Sequence, residues 1–265
     1  MTTIEWKRKE RNSWKTVLSN NKTFMKELNK PHSYGVLWTF VYRQNFEAIT
    51  KFVGDIKKQK ILDIGCGSGW LDEWISLKGG FPIGIDVSLI FLKISKQRAR
   101  QKKFEAEFIC ADGEHLPFRD NVFYCSIAYQ SLHHFPSPDS VINDALRVSK
   151  CFVLGDEPAE TLLPEVVLKT FKRIVSARVQ VGEASGIAEI RFDPEQLEIT
   201  YKKNGYKVAY KRAWSFVPAI LTKLEKIWFI REICKTSYFI LANTKLLKQF
   251  GHGLIMIIQK EAPNQ

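Results

Sequence analysis

The chain has 265 residues, a 45% apolar share and a formal net charge of +12. That composition excludes a disordered chain, and the length allows one good core plus an appended element. The five cysteines, at 66, 110, 125, 151 and 234, form no C-x-x-C pair, so neither a disulfide framework nor a cysteine metal centre is expected. Three of them fall on predicted core strands, which points to buried thiols in a reducing, cytoplasmic setting.

The first thirty residues are charged throughout, with no secretory leader pattern. Ile4, Trp14, Leu18, Phe24 and Leu28 recur as apolar positions of one or two helices, and Pro31 stops the pattern. A further helix is expected over 36–53, with Leu37, Phe40, Val41 and Ile49 on one face. Residues 1–55 thus read as an N-terminal helical cap, and 56–265 as the main domain. Strands are expected at about 60–64, 82–86, 107–110, 122–128 and 151–155, with helices between them, one being the basic run 89–103. Such alternation gives a mostly parallel sheet covered on both faces, an α/β doubly wound fold. Asp193-Pro194-Glu195 opens another helix, with a capping side chain, a first-turn proline and an acid at the positive dipole end. Gly205 closes it, and 206–213 and 253–259 read as the last of seven strands. Two insertions, at about 157–192 and 214–250, stand out. In the second, Leu221, Leu224, Ile227 and Trp228 recur at helical spacing, so one face is expected to be buried, with plain core packing against the sheet edge as the alternative to a cap. Phe229 and Tyr238 would then line a pocket or face solvent, and the insert would cap a substrate pocket.

The most informative stretch is ILDIGCGSGW, residues 61–70. A buried strand ends at Asp63 and gives way to Gly65, Gly67 and Gly69, and a helix opens near Ser68 or Trp70. Glycines there allow unusual backbone angles and let a ligand approach the main chain. A dinucleotide loop would place a further glycine at position 70, where Trp70 stands, and a P-loop would end in GK[ST]. Asp86 ends the second strand, in GIDVS over 84–88. Asp112-Gly113-Glu114 follows the third, in ADGEHLPF over 111–118. The segment VFYCSIAYQSLHHF, 122–135, supplies the fourth strand and the loop after it.

These four segments, in this order over roughly 60–150, resemble the class I S-adenosylmethionine-dependent methyltransferases. The similarity is greatest to the small-molecule branch that includes the ubiquinone and menaquinone biosynthesis enzymes. The chain departs from that family at Phe123-Tyr124, where Phe-Asp is usual, and at 148–151, which replace a Lys-Pro-Gly-Gly turn. The resemblance implies a Rossmann-like methyltransferase fold and S-adenosyl-L-methionine as cofactor. It implies cofactor contacts from Asp63 and the loop residues Gly65, Cys66, Gly67 and Gly69. Asp86 and Val87 would serve the ribose, Asp112, Gly113 and Glu114 the adenine, and Tyr129 and Gln130 the methionine portion. His134, ahead of His133, is the candidate general base, with loop architecture as the competing role for both. Glu157 is expected at the rim of the site.

The implied reaction is in-line methyl transfer to O, C or N of a small hydrophobic or aromatic metabolite. The charge is uneven: residues 1–60 carry thirteen Lys or Arg against five acids, 61–150 ten against eleven, and 151–265 seventeen against twelve. Basic flanks keep RNA open as a partner, as in the tRNA wobble-uridine methyltransferases, and also peripheral membrane contact. Against RNA, residues 129–132 read YQSL, not the [DN]PP[YFW] used on exocyclic base amines. A non-catalytic cofactor-binding or scaffold protein is the alternative of another class. No apolar stretch is long enough for a transmembrane span.

Overall fold

A computed structural model describes residues 5–9, 12, 35–160, 190–213, 224, 226–243 and 253–260. Most of the expected N-terminal helices, most of the first insertion and about half of the second lie outside the described residues. In chain order the elements are α1 (Gly35–Val53), β1 (Lys60–Ile64), α2 (Trp70–Leu77), β2 (Phe81–Asp86) and α3 (Leu89–Lys102). Then come β3 (Glu107–Cys110), β4 (Cys125–Tyr129), a 3-10 turn at Leu132–His134, α4 (Pro138–Val148) and β5 (Cys151–Pro158). The last are α5 (Pro194–Lys203), β6 (Tyr206–Ala213), α6 (Trp228–Asn243) and β7 (Gly253–Lys260).

The seven strands form one sheet in the order β3-β2-β1-β4-β5-β7-β6. The first five are parallel, and β7 runs antiparallel between β5 and β6. The order reverses between β1 and β4, which opens a crevice at the carboxyl ends of those strands. Both faces of the sheet are dry. On one side, Leu62, Ile64, Ile85, Phe152 and Leu154 pack with Val141, Ile142 and Leu146 of α4. On the other, Ile61, Ile127, Val153 and Ile255 meet Phe46, Ile49 and Val53 of α1 and Ile75 of α2. Strands buried on both faces need unbroken apolar runs, which is why KILDI and CFVL carry little alternation.

Three local expectations are corrected. The fourth strand begins at Cys125, not 122, because Phe123 makes only an isolated bridge to Ser149. The fifth continues to Pro158 through a register shift between Leu154 and Glu157, where Asp156 takes φ 56°. Cys110 is exposed while Cys66, Cys125 and Cys151 are buried, because β3 is an edge strand and Cys110 stands at its end. Asp193 caps α5 as its sequence suggests, accepting from the N–H groups of Glu195 and Gln196.

The second insertion also departs from expectation. Its helix starts at Trp228, so the buried stripe shifts: Cys234 and Tyr238 pack on Leu37 and Val41 of α1. Ile227 and Trp228, expected to be buried, are 40% and 69% exposed. Leu221 lies outside the described residues.

Candidate functional site

The glycine turn joins β1 to α2 with Gly65, Gly67 and Gly69 all at positive φ (75°, 50° and 77°), a region open to glycine and strained for other residues. Their surroundings differ. A Cβ on Gly65 would come within 2.6 Å of the Ser131 side chain, so that glycine is needed for close packing. A Cβ on Gly67 would meet nothing within 4 Å and would project into the crevice. This is the place where a ligand can come against the main chain.

The turn is fixed from beneath. The N–H groups of Gly65 and Cys66 donate to the Ile85 carbonyl, each at 2.9 Å. Ser95 of α3 donates to the Gly67 carbonyl at 2.7 Å, and buried Arg98 donates to Ser68 O at 2.7 Å while lying over the Trp70 ring. Asp86, at the end of β2, accepts from Gly67 N–H at 3.0 Å through one oxygen and from Ser88 N–H at 2.7 Å through the other. A carboxylate oxygen has two lone-pair sites, so one that braces the main chain can also accept from a ligand hydroxyl.

Asp112 follows β3 and accepts from Glu114 N–H at 3.1 Å. Its other oxygen, and a Glu114 oxygen, both pair with Lys7 from the 5–9 helical turn. Trp6 beside it donates its indole N–H to the His134 carbonyl at 3.1 Å. The amino-terminal turn therefore bridges two walls of the crevice. Glu114 is buried, and its carboxylate holds Ser137 N–H at 2.7 Å.

The loop after β4 is organised by one carboxylate. Glu157 is fully buried on β5, not at the rim, and accepts from the N–H groups of Ser131 (2.8 Å), Leu132 (2.9 Å) and His133 (3.2 Å). It also bonds His133 Nδ1 at 2.7 Å. The His134 ring lies against that of His133, tilted by 41° with centroids 4.1 Å apart. Gln130, at φ 50°, donates through Nε2 to Asp156 at 2.6 Å, and the Tyr129 hydroxyl lies between Asp156 and Asn45. Burial, and then the Asp156 charge, push the Tyr129 phenol well above its ordinary value, so it stays neutral.

One pocket joins these parts. It is lined by Asp63, Gly65, Cys66, Gly67, Asp86, Val87, Asp112, Gly113, Tyr129, Gln130 and His134, all named from the sequence. Gly69, Glu114 and His133 lie outside the lining. The first admits α3, since its Cβ would stand 3.2 Å from Ser95, and the other two are turned to the hydrogen bonds above. The lining also includes Trp6, Lys7, Tyr42, Phe46, Trp70 and Phe135, which sequence reading did not assign to the site. Tyr42, Phe46 and Tyr129 form an aromatic wall, with centroids 5.0–6.3 Å apart. No described residue of 224–243 lines the pocket.

Beneath the turn lie two dry carboxyls, Asp63 (2% exposed) and Asp72 (0%). Burial, followed by the charge of Asp72, pushes Asp63 well up. Burial pushes Asp72 up to about 7, against an opposing bond from Asp63. Among the described residues no N–H of another group reaches the Asp72 oxygens. The Asp63 carboxyl bonds Asp72, so a proton shared between the two carboxyls would bridge them. The same burial, and then the charges of Asp72 and Asp86, keep the Cys66 thiol protonated.

A parallel sheet with an antiparallel seventh strand, a glycine turn after β1 and acids closing β2 and β3 together define a class I methyltransferase architecture. Residues 62–151 match the family described as methyltransferase domain, the family that the glycine turn and the strand-end acids resemble. Over 92 residues the chain is 36% identical to methyltransferase GfsG of Streptomyces halstedii, covering 34% of this chain and 33% of that one. Over 95 residues it is 28% identical to a ubiquinone biosynthesis O-methyltransferase of Coxiella burnetii, covering 36% and 41%. The matched region thus spans about a third to two-fifths of those relatives' length. Among solved structures, one from the complex of the Haloferax volcanii Trm112 methyltransferase activator with a methyltransferase superposes with TM-score 0.61. It has 15% identity and covers 96% of this chain and 99% of that one. Phosphoethanolamine N-methyltransferase 2 of Haemonchus contortus, solved with S-adenosylhomocysteine, gives 0.60 at 16% identity, covering 96% and 60%. These two likenesses concern the fold.

Proposed function

We propose that the protein transfers a methyl group from S-adenosylmethionine to a small apolar or aromatic acceptor, with oxygen the favoured atom. The observation that carries this reading is the open space over Gly67, framed by Asp86 and Asp112 and faced by the Tyr42–Phe46–Tyr129 wall. The likeness to a ubiquinone biosynthesis O-methyltransferase supports oxygen over carbon or nitrogen. Residues 1–55 serve in this reading as a cap, of which Trp6 and Lys7 reach the pocket.

The cofactor, when bound, supplies a methyl group already activated on a sulfonium, so the protein has to align, desolvate and handle a proton. Asp86 accepts from the ribose hydroxyls. Asp112 accepts from the adenine amino group, and Gly113 N–H serves a ring nitrogen, since Glu114 N–H is already given to Asp112. The Asp63–Asp72 pair lies below the ammonium end, and the main chain at Tyr129 and Gln130 borders the methionine portion. The aromatic wall excludes water and packs the acceptor. His134 faces the pocket and is the group placed to take a proton from an acceptor hydroxyl, whereas His133 is held by Glu157 and positions it.

Calorimetry with S-adenosylmethionine, S-adenosylhomocysteine and NAD tests the reading. Micromolar binding of the first two, about −8 kcal/mol, is expected. Binding of NAD alone would overturn it.

A further inference from the structure

The outward face of α6 is a described feature that the catalytic reading leaves unused. Trp228, Phe229, Ile233 and Ile240 are 69%, 51%, 61% and 50% exposed. Residues step by about 100° around a helix, so these four share an arc of roughly 140°. Cys234 and Tyr238 fall on the other side and seat the helix on α1, with the Tyr238 ring edge-on to Phe40 at 6.4 Å. The exposed arc is therefore a second, mainly apolar face, broken by Glu232 and Thr236 and distinct from the helix's packing face.

One border is basic. Arg231 and Lys235 lie between the two faces, and both donate to Glu232, at 3.2 and 2.9 Å. That trio keeps one positive charge in surplus. The wider sequence 221–248 holds six Lys or Arg against two Glu, in a chain whose net charge is +12. Two copies meeting through this face would bring like-charged borders together, and like charges oppose association. An anionic surface complements both features at once: aromatic and branched side chains enter the acyl boundary, and cations stay at the phosphates. The helix has 16 residues, about 24 Å, which is too short to cross a bilayer. It fits lying in the interface.

We propose that α6 docks this protein on an anionic lipid surface, with Trp228, Phe229 and Ile233 inserted and Arg231 and Lys235 at the headgroups. The docking face is carried by α1, whose Tyr42 and Phe46 line the pocket, so the site stands one helix away from the lipid. The proposal does not depend on the methyl-transfer reading.

The test is sedimentation of the full chain with vesicles of phosphatidylcholine alone, or mixed three to one with phosphatidylglycerol. Binding is expected to the mixed vesicles only. Phe229→Ser with Ile233→Ser should cut the bound fraction about tenfold, and Arg231→Gln with Lys235→Gln several-fold with a weaker salt dependence. Quenching of tryptophan emission by brominated acyl chains, lost in Trp228→Phe, reads insertion without depending on the paired variants. Three results would overturn the proposal: no binding to anionic vesicles, equal binding by the Phe229/Ile233 variant, or a wild-type dimer in solution that this variant dissociates.

Discussion

Asp72→Asn should flatten the dependence of stability on pH between about 5 and 7. In the folded protein burial raises the Asp72 carboxyl from an ordinary 3.8 to about 7, and burial raises Asp63 as well. A carboxyl with a raised folded pKa favours the folded state while it is protonated. Its contribution is complete below the unfolded value and is lost as pH rises through the folded one. Each pH unit between those values removes about 1.4 kcal/mol per such group. Over the two units from pH 5 to 7, Asp72 accounts for roughly 2–3 kcal/mol, an upper bound where water reaches the pair. At about 2–4 °C per kcal/mol for a chain of this size, the wild type should lose roughly 5–10 °C of melting temperature that the variant keeps. Asp63 titrates in the same direction, so the variant retains part of the slope. Melting curves or urea midpoints at half-unit pH intervals measure the difference. Parallel profiles for wild type and variant would show that Asp72 does not hold a proton in the folded protein, and the shared-proton account would fail.

Asp86→Ala should weaken S-adenosylhomocysteine binding by roughly 1.5–3 kcal/mol, through loss of charge-assisted hydrogen bonds and of the brace on Gly67; an unchanged dissociation constant in calorimetry would remove Asp86 from the site. The two glycines should separate: Gly65→Ala should lower the melting temperature, because its Cβ would strike Ser131, whereas Gly67→Val should chiefly abolish binding. Glu157→Gln should cost about 2–4 kcal/mol in urea unfolding, since a buried carboxylate accepting from three N–H groups and His133 is replaced by an amide with one acceptor oxygen. His134→Ala should lower kcat while leaving cofactor affinity within about twofold, provided the acceptor loses its proton during attack.

The sheet was legible because its parallel strands are buried on both faces and therefore appear as apolar runs closed by glycine or acid. The pocket's polar frame was legible for a related reason: Gly67, Asp86 and Asp112 stand at strand ends, where backbone geometry limits what can follow. Side-chain partners across the chain were not. Asp72 sits among Leu71 and Ile75 on the buried face of α2, and an acid at that position was the one available signal of a strained group. Lys7 left no signal, because its pairing with Asp112 joins residues 105 positions apart. The misjudged stripe at Ile227 and Trp228 has a simpler cause. Helical spacing defines a face but not which face packs, and two apolar faces on one helix cannot be ranked without the partner helix.

The positions of unusual backbone geometry bear on how the site is held. Gln130 and Asp156 both adopt positive φ without being glycine, conformations that cost free energy and persist where surrounding contacts enforce them. Here the enforcing contacts are mutual: Gln130 Nε2 bonds Asp156, and Gln130 N–H bonds the Gly155 carbonyl. Gly155 has no room for a side chain, since a Cβ would lie 2.6 Å from the Tyr129 ring. The ends of β4 and β5 are thereby locked side by side, and the next residue, Glu157, is aimed inward at the loop that carries His133 and His134. The bulge that lengthens β5 past its expected end is thus what delivers the carboxylate. A strand continuing in regular register would turn residue 157 to the opposite face and leave three buried N–H groups of that loop without an acceptor.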